Sequence, residues 1–507
     1  MHLAQALLNL IVSAAEPAAT AVAATAADAA TGAHGTASGG TRELFIQICY
    51  LGASVLFIFG LRGLTSPDKS RRGMQLAALG MLVAIIGTLI HHDIVTYTWI
   101  IVGLVIGSAI GAAISIWMPM TAVPQRTAIS HAFGALAATL VGISHYDQIT
   151  RVLAEQVTRV DMAALGFEVM FGSLTITGSL MAFGKLQGIL PSPPITYKFQ
   201  NLSNIALFCV AALMFVYLVV TPSDSAAHAT IFYLMVLVGL AVGVLIVIPI
   251  GGADMPVVIS LLNSYAGLAA SATGFALGNN VLIIAGALDG ASGFFLSILM
   301  SKAMNRSFTN VLFGAFGAAP EAGAAQSADG LSVNSISVED AAVQLGYARF
   351  VIVVPGYGMA VAQAQHAVRE LSDLIEERGG EVKFAIHPVA GRMPGHMNVL
   401  LAEADIAYDK LLDMDEINGE FPRADVALVI GANDVVNPAA RNDPASPIHG
   451  MPILNADQAQ SVIVLKRSMN PGFAGIENAL FYDPKCSILF GDAKSSLTKL
   501  VAEVKAV

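Results

Sequence analysis

From residue 44 to residue 300 the chain is written in long apolar runs separated by short polar or turn-forming stretches. After residue 349 it changes to short apolar runs alternating with amphipathic ones. The first pattern predicts nine helices, near 44–61, 74–90, 97–117, 127–145, 162–184, 203–221, 229–250, 255–278 and 280–300. Each approaches the roughly 20 apolar residues needed to cross a hydrocarbon core about 30 Å thick. Gly and Ala recur inside them, as in Val105-Ile-Gly-Ser-Ala-Ile-Gly-Ala-Ala113, which suits close approach of helices where lipid offers no hydrophobic drive for association. A packed membrane bundle is the expectation.

Orientation follows from Lys and Arg in the connections, since cytoplasmic loops carry the excess. With the N-terminus outside, inner loops hold Arg62, Lys69, Arg71, Arg72, Arg126, Lys185, Lys198, Lys302 and Arg306, and outer segments only Arg42, Arg151 and Arg159. An odd number of spans then places the C-terminal part in the cytoplasm. Residues 1–43, rich in Ala, Gly and Thr, read as a flexible leader. Within them 3–15 have the length of a signal core but no preceding Lys or Arg. Membrane spans occupy 44–308, and 309–347 read as a linker.

In 348–507, strands are expected at Phe350–Val354, Val382–Ile386, Asp425–Ile430, Ser461–Leu465 and Ser487–Phe490, with a helix from Ala362 to Arg378. Runs this apolar suit a parallel sheet covered on both faces. The fold class is therefore an α-helical transmembrane bundle of about nine spans followed by a cytoplasmic α/β Rossmann-like, doubly wound domain.

Composition agrees. Of 507 residues, 55% are hydrophobic and 12% charged, which excludes a disordered chain or a coiled coil. Charge is split between the two solvents, with 9 Lys or Arg and 9 Asp or Glu in 44–300 against 14 and 20 in 349–507. A net charge of −10 without basic runs offers nucleic acid no footprint. Cys49, Cys209 and Cys486 lie far apart, without metal-ligand or disulfide-framework spacing.

The first strand runs into Pro355-Gly-Tyr-Gly-Met-Ala-Val361, a Gly-x-Gly-x-x-Val form of the dinucleotide fingerprint. Gly356 and Gly358 would permit a tight turn and close approach of backbone to cofactor. Val361 stands where a third glycine would let helix and strand pack closely. An NAD site usually ends its second strand in an acid, but here that strand ends in His387-Pro388. The later strand instead ends in Lys466-Arg467-Ser468, two cations and a hydroxyl that suit a 2′-phosphate. NADP is favoured over NAD. The loops Val389-Ala-Gly-Arg-Met-Pro-Gly395 and Gly431-Ala-Asn-Asp-Val-Val-Asn437 also follow strand ends, where open α/β sheets bind ligands. Asp434 in the second could face a nicotinamide or a proton path, or serve only as turn chemistry.

Ionisable groups inside spans are functional candidates by default. They are His131, Glu168 and Asp289, with Asn263 and Ser264 as polar neighbours. His131 suits a relay because imidazole titrates near neutral pH; a hydrogen-bonded packing role is the alternative.

At Gly356-Tyr-Gly-Met-Ala-Val-Ala-Gln-Ala-Gln365, His387 to Gly395, Gly431-Ala-Asn-Asp434 and Lys466-Arg-Ser468, the sequence closely resembles the β subunits of proton-translocating NAD(P) transhydrogenases. Gly251-Gly-Ala-Asp-Met-Pro-Val-Val258, Leu262-Asn-Ser-Tyr265 and Lys302-Ala-Met-Asn-Arg-Ser307 extend the resemblance from about residue 44 to the end. The resemblance implies an NADP(H) site on this chain and an NAD(H) site on a partner α subunit, the two assembling as a dimer of α–β units in the cytoplasmic (inner) membrane. It implies hydride transfer directly between nicotinamide C4 atoms (the Si-Re-specific reaction), coupled to inward movement of a proton. It also implies roles. His131 and Asn263 match the proton path, and Asp434 matches the acid linking cofactor redox state to protonation. Gly356, Tyr357, Gly358, Ala390, Gly391, Arg392, Met393, Pro394, Gly395, Gly431, Ala432, Asn433 and Val435 match cofactor contacts. Lys466, Arg467 and Ser468 match the 2′-phosphate site and its lid, and Asp492-Ala493 a closing contact. NADP(H) is expected reversed relative to ordinary dinucleotide folds. Asp289 departs from the family pattern, and the inner loops around Arg126, Lys198 and Asp254 are expected to meet the cofactor domain. The alternatives are a transporter or channel whose nucleotide-sensing domain does no redox chemistry, and a dehydrogenase for a small substrate, which lacks an evident acid/base dyad.

Overall fold

The computed structural model describes residues 37–64, 67–90, 97–118, 122–153, 157–191, 195, 197–221, 223, 226–251, 254–304, 333–391, 395–444, 446, 448–472 and 474–507. Nine of the described helices are long and apolar enough to cross a membrane: α1 (Ala37–Leu64), α2 (Pro67–Leu89), α3 (Thr98–Trp117), α4 (Val123–Asp147), α5 (Arg159–Gln187), α6 (Gln200–Val220), α7 (Ala226–Val247), α8 (Met255–Ala276) and α9 (Asn280–Ala303). They coincide with the nine predicted runs and outreach most of them. For α5, expected over 162–184, the Thr158 hydroxyl accepts from the Asp161 N–H at one end. Gly188, at φ 77°, stops it at the other. α1 likewise begins inside the stretch read as a leader.

The chain divides into two compact units, residues 1–110 with 270–288, and 111–269 with 289–507. In the first, α1 and α2 pack through glycines, and a Cβ on Gly63 would stand 2.7 Å from the Gly73 Cα. In the second, α4 to α7 and parts of α8 and α9 share the same device. A Cβ on Gly178 of α5 would meet Leu262 at 2.9 Å. Small residues thus set the helix spacing, as the sequence composition implied.

The second unit also holds the C-terminal sheet of six parallel strands: β1 (Phe350–Pro355), β2 (Glu381–Ile386), β3 (Leu411–Asp413), β4 (Val426–Ile430), β5 (Ser461–Lys466) and β6 (Cys486–Phe490), in the order β3-β2-β1-β4-β5-β6. Every residue of β1 and β4 is buried. Alternate side chains enter different cores, as a period of two requires. Val351, Val353 and Leu428 pack with Leu371, Leu497 and Leu500, while Ile352, Val354 and Val429 pack with Phe421, Leu454 and Phe481.

Three expectations need correction. The predicted helix from Ala362 to Arg378 is two helices, α11 (Tyr357–Val361) and α12 (Gln365–Glu377), broken where Gln363 turns to a φ of 50°. The stretch read as a linker ends in α10 (Val338–Gly346), capped by Ser337, with Ala341, Ala342 and Leu345 fully buried in the C-terminal core. Asp425 stands just outside its strand, because its Oδ2 accepts the Arg349 and Phe350 N–H groups and so anchors the start of β1.

Candidate functional site

The carboxyl ends of β1, β2, β4, β5 and β6 converge on one cavity of about 610 Å³. Each is followed by a loop expected to carry chemistry. Tyr357 and Gly358 come from the first, and Ala390 and Gly391 from the second. Gly431 to Val435 follow β4, Lys466 to Ser468 follow β5, and Asp492 and Ala493 follow β6. The cavity lies where the strand order reverses, between β1 and β4.

Gly356 and Gly358 act differently from expectation. Gly356 has an extended backbone, φ −134°, which any residue adopts. It is small because a Cβ would collide with the Gly431 and Ala432 backbone. A Cβ on Gly358 would lie 2.7 Å from the Gly431 Cα, and the Gly358 N–H donates to the Gly431 carbonyl at 2.9 Å. These glycines weld the β1 and β4 loops together, and only Gly358 reaches the cavity. Val361 does not separate helix from strand, being 51% exposed on the cavity wall.

Asp434 links two loops of the cavity. Its Oδ2 accepts the Ala474 N–H at 3.0 Å, and its carboxylate sits so close beneath Gly472 that a Cβ there would stand 2.5 Å from Oδ1. The 470–474 loop is thereby tied to the β4 loop. Lys466 lies over the Phe481 ring, 4.2 Å from its centroid. Burial holds its ammonium below the usual lysine range, and the Asp434 charge partly offsets that. Both cations, Lys466 and Arg467, face one space. Asp492 caps its own helix, α14 (Ala493–Ala506), by accepting the Ser495 N–H at 3.2 Å.

Of the other expected residues, Gly395 adopts φ 69° and starts α13 (His396–Glu403), outside the cavity. Arg392, Met393 and Pro394 lie outside the described residues. His387 is buried, with Nε2–H donating to the Pro452 carbonyl at 2.9 Å and Nδ1 accepting from the Val389 N–H at 3.2 Å. Burial pulls its pKa down to about 4, so the ring is neutral.

The cavity also has walls not anticipated: Ile448, Met451, Asn470 and Pro471. Only turn chemistry around Gly450, φ 78°, marks the first pair in the sequence. Asp254, Pro256 and Met304, from the ends of the spanning helices, border it too. Asp254 had been expected to meet this part. Among the spanning helices, His131 is half-buried on α4, and its Nδ1 has no hydrogen-bond partner among the described residues. The Asn263 amide donates to Asp289 Oδ1 at 3.0 Å. Glu168 is fully buried on α5, with its carboxyl against Gly142 of α4. Lys185, counted above as an inner-loop charge, is buried and donates to the Ile248 and Ile250 carbonyls just past the end of α7.

Among the described residues, nine membrane-length helices and a parallel sheet whose strand ends enclose a Gly-rich, cation-bearing cavity define a membrane protein with an α/β part. A family model described as NAD(P) transhydrogenase beta subunit matches residues 46–503. The chain is 48% identical over 456 residues to NAD(P) transhydrogenase subunit beta of Rhodospirillum rubrum, covering 89% of this chain and 97% of that one. The same figures hold for the protein of that name from a particular strain of the organism. The chain belongs to the NAD(P) transhydrogenase beta subunit family.

Proposed function

We propose that this chain is the NADP(H)-binding, proton-conducting subunit of a membrane transhydrogenase, and that the cavity at the strand ends is the NADP(H) site. The observation carrying this reading is the position of Lys466, Arg467 and Ser468 at the end of β5, facing a cavity at the switch point of a parallel sheet. A 3-2-1-4-5-6 order is that of Rossmann-like domains, whose crevice at that point takes dinucleotides. About 610 Å³ is within the range of cofactor sites. The residues fit the cofactor. Two cations and a hydroxyl meet a 2′-phosphate, while Gly391, Gly431 and Gly472 keep the walls free of side chains.

Bound NADP(H) supplies the chemistry, a hydride given or taken at the nicotinamide C4. The chain's residues do the rest. Lys466, Arg467 and Ser468 hold the phosphate by charge-assisted hydrogen bonds. Asp434 fixes the 470–474 loop over the site through Ala474. Tyr357, Ala390, Gly391, Ala432, Asn433 and Val435 line the cavity, and Asp492-Ala493 close it from the β6 side. His131 and Asn263 belong to the proton path, and Asp254, which borders the cavity from the membrane side, couples the two parts. By linkage, whatever protonation does to NADP(H) affinity, cofactor redox state does to protonation.

The partner is an α subunit carrying the NAD(H) site, and the assembly is a dimer of such pairs in the inner membrane, with the leader outside and the C-terminal part in the cytoplasm. Proton movement coupled to hydride transfer is the general role of the family. Titration of the detergent-solubilised chain with NADPH and NADH, followed by nicotinamide fluorescence, tests the reading. NADPH is expected to bind at least about 100-fold more tightly than NADH, the span of two charge-assisted bonds. Lys466→Ala with Arg467→Ala should abolish the difference. Equal binding of both, or of neither, overturns the reading in favour of a nucleotide-sensing transporter.

A further inference from the structure

We propose that Asp289 is a proton-binding group of the membrane part and works as a pair with Asn263. The proposal rests on the reading of Asn263 as a member of the proton path. Asp289 is the tenth residue of α9, about 14 Å from the start of that helix and about 21 Å from its end at 1.5 Å per residue. A carboxylate at such depth persists only where polar groups or water reach it.

The two helices are built to bring this pair together. At this level α8 and α9 touch backbone to backbone. A Cβ on Gly267 would lie 2.8 Å from the Gly290 Cα and 2.9 Å from the Asp289 carbonyl carbon. One on Gly293 would lie 2.7 Å from the Ser264 nitrogen and 2.9 Å from Asn263 Nδ2. Ser264 Oγ donates to the Gly290 carbonyl at 2.7 Å. This frame holds Asn263 Nδ2 3.0 Å from Asp289 Oδ1.

One half of each group is thereby used. Asp289 Oδ2 and Asn263 Oδ1 meet no hydrogen-bond partner among the described residues. Asp289 is also exposed on the surface of the chain, so its free oxygen is open to water or to a covering partner helix. An amide beside a carboxyl reads both protonation states. When Asp289 is ionised, the Asn263 NH2 donates to it. When a water-borne hydronium gives its proton to Oδ2, water is left behind; carboxyl and amide then both turn over, and the new O–H donates to Asn263 Oδ1. The negative charge disappears and the hydrogen bond is kept, which lets the proton be held and released without breaking the helix pair.

A mere helix clasp would not need the charge, because two amides would join equally well. On α8 and α9, the other titratable groups are Tyr265, whose ring packs on Phe171 of α5, and Lys302 at the far end of α9. Neither is placed to replace the carboxyl.

The test uses the full chain assembled with the NAD(H)-binding α subunit in lipid vesicles, with a pH-sensitive dye reporting proton movement during NADPH oxidation. Asp289→Asn should lower proton-coupled turnover about 100-fold, the range of a lost proton-transfer group, and flatten the pH profile on one limb. Asp289→Glu should recover at least about a tenth of the rate. The exchange of Asn263→Asp with Asp289→Asn, which keeps one carboxyl in the pair, should recover pumping that Asp289→Asn lacks. Asp289→Asn pumping within about two-fold of the parent with the same pH profile overturns the proposal, as does an assembled exchange variant that stays inactive. If the unmodified assembly binds NADPH and exchanges hydride but moves no protons, the proton-path reading falls, and this proposal with it.

Discussion

Adding one methyl group at Gly472 should open the proposed NADP(H) site by displacing the Asp434 carboxylate beneath it. The backbone there is outside the left-handed region, so alanine brings no backbone strain. Its Cβ would stand 2.5 Å from Asp434 Oδ1 and 2.9 Å from Cγ and Oδ2, about 1 Å inside ordinary contact. The carboxylate must swing aside, and the 3.0 Å bond from the Ala474 N–H is lost. A hydrogen bond to a charged group contributes about 1.5–3 kcal/mol, so closure of the 470–474 loop should weaken by about 10- to 150-fold. Because Asn470, Pro471 and Ala474 wall the cavity beside Lys466, that loss should appear in the NADPH dissociation constant.

The assay is fluorescence titration of the detergent-solubilised chain with NADPH, run as a double-mutant cycle with Asp434→Ala. If the methyl acts through the carboxylate, Gly472→Ala should add almost nothing once Asp434 is alanine, an interaction of the size of the single effect. Affinity within about two-fold of the parent for Gly472→Ala, or full additivity in the cycle, would refute the claim that Asp434 is the strut beneath this loop.

His387 makes the C-terminal part acid-labile. Its folded pKa of about 4 lies below the unfolded value of 6.5, so the unfolded state binds the extra proton between them. Stability should fall by about 3 kcal/mol as pH drops from 6.5 to 4 and level off below; thermal melts of the parent and His387→Gln check this, the variant losing the slope. Gly358→Ala should destabilise by at least about 1–3 kcal/mol, because its Cβ meets the Gly431 Cα at 2.7 Å and neither backbone can retreat without breaking their hydrogen bond. An unchanged melting temperature would show that the β1 and β4 loops are not welded there.

The membrane part was legible because hydrocarbon leaves a backbone no choice but the helix, so a run of apolar residues is already an element. Its ends were less legible. Thr158 and Gly188 lengthen α5 by local hydrogen bonding and φ preference, which hydropathy does not register. In the C-terminal part, five strands were read from their apolar runs, while β3 was missed. It spans three residues, Leu411 to Asp413, only the first of them buried, and exists because it pairs with Phe384 to Ile386 of β2. No local signal carries such an element; its partner makes it.

The site shows the same division between what the chain states locally and what assembly decides. Loops at strand ends are local, and the sequence placed them at the cavity. Which atoms they oppose is not local. Gly356 and Gly358 read as a fingerprint for cofactor approach, yet the backbone they admit is that of Gly431 and Ala432, 75 residues away. A glycine reports only that something comes close, and both ligand and protein backbone satisfy that condition. The Asn263–Asp289 pair has the same character across 26 residues. The sequence marked Asn263 as a group able to hydrogen-bond a neighbouring helix, but not that Asp289 would be its partner; the glycines of α8 and α9 set them at 3.0 Å. In a bundle spaced by small residues, the sequence names the polar groups, and the glycines opposite one another decide which of them meet in a hydrogen bond.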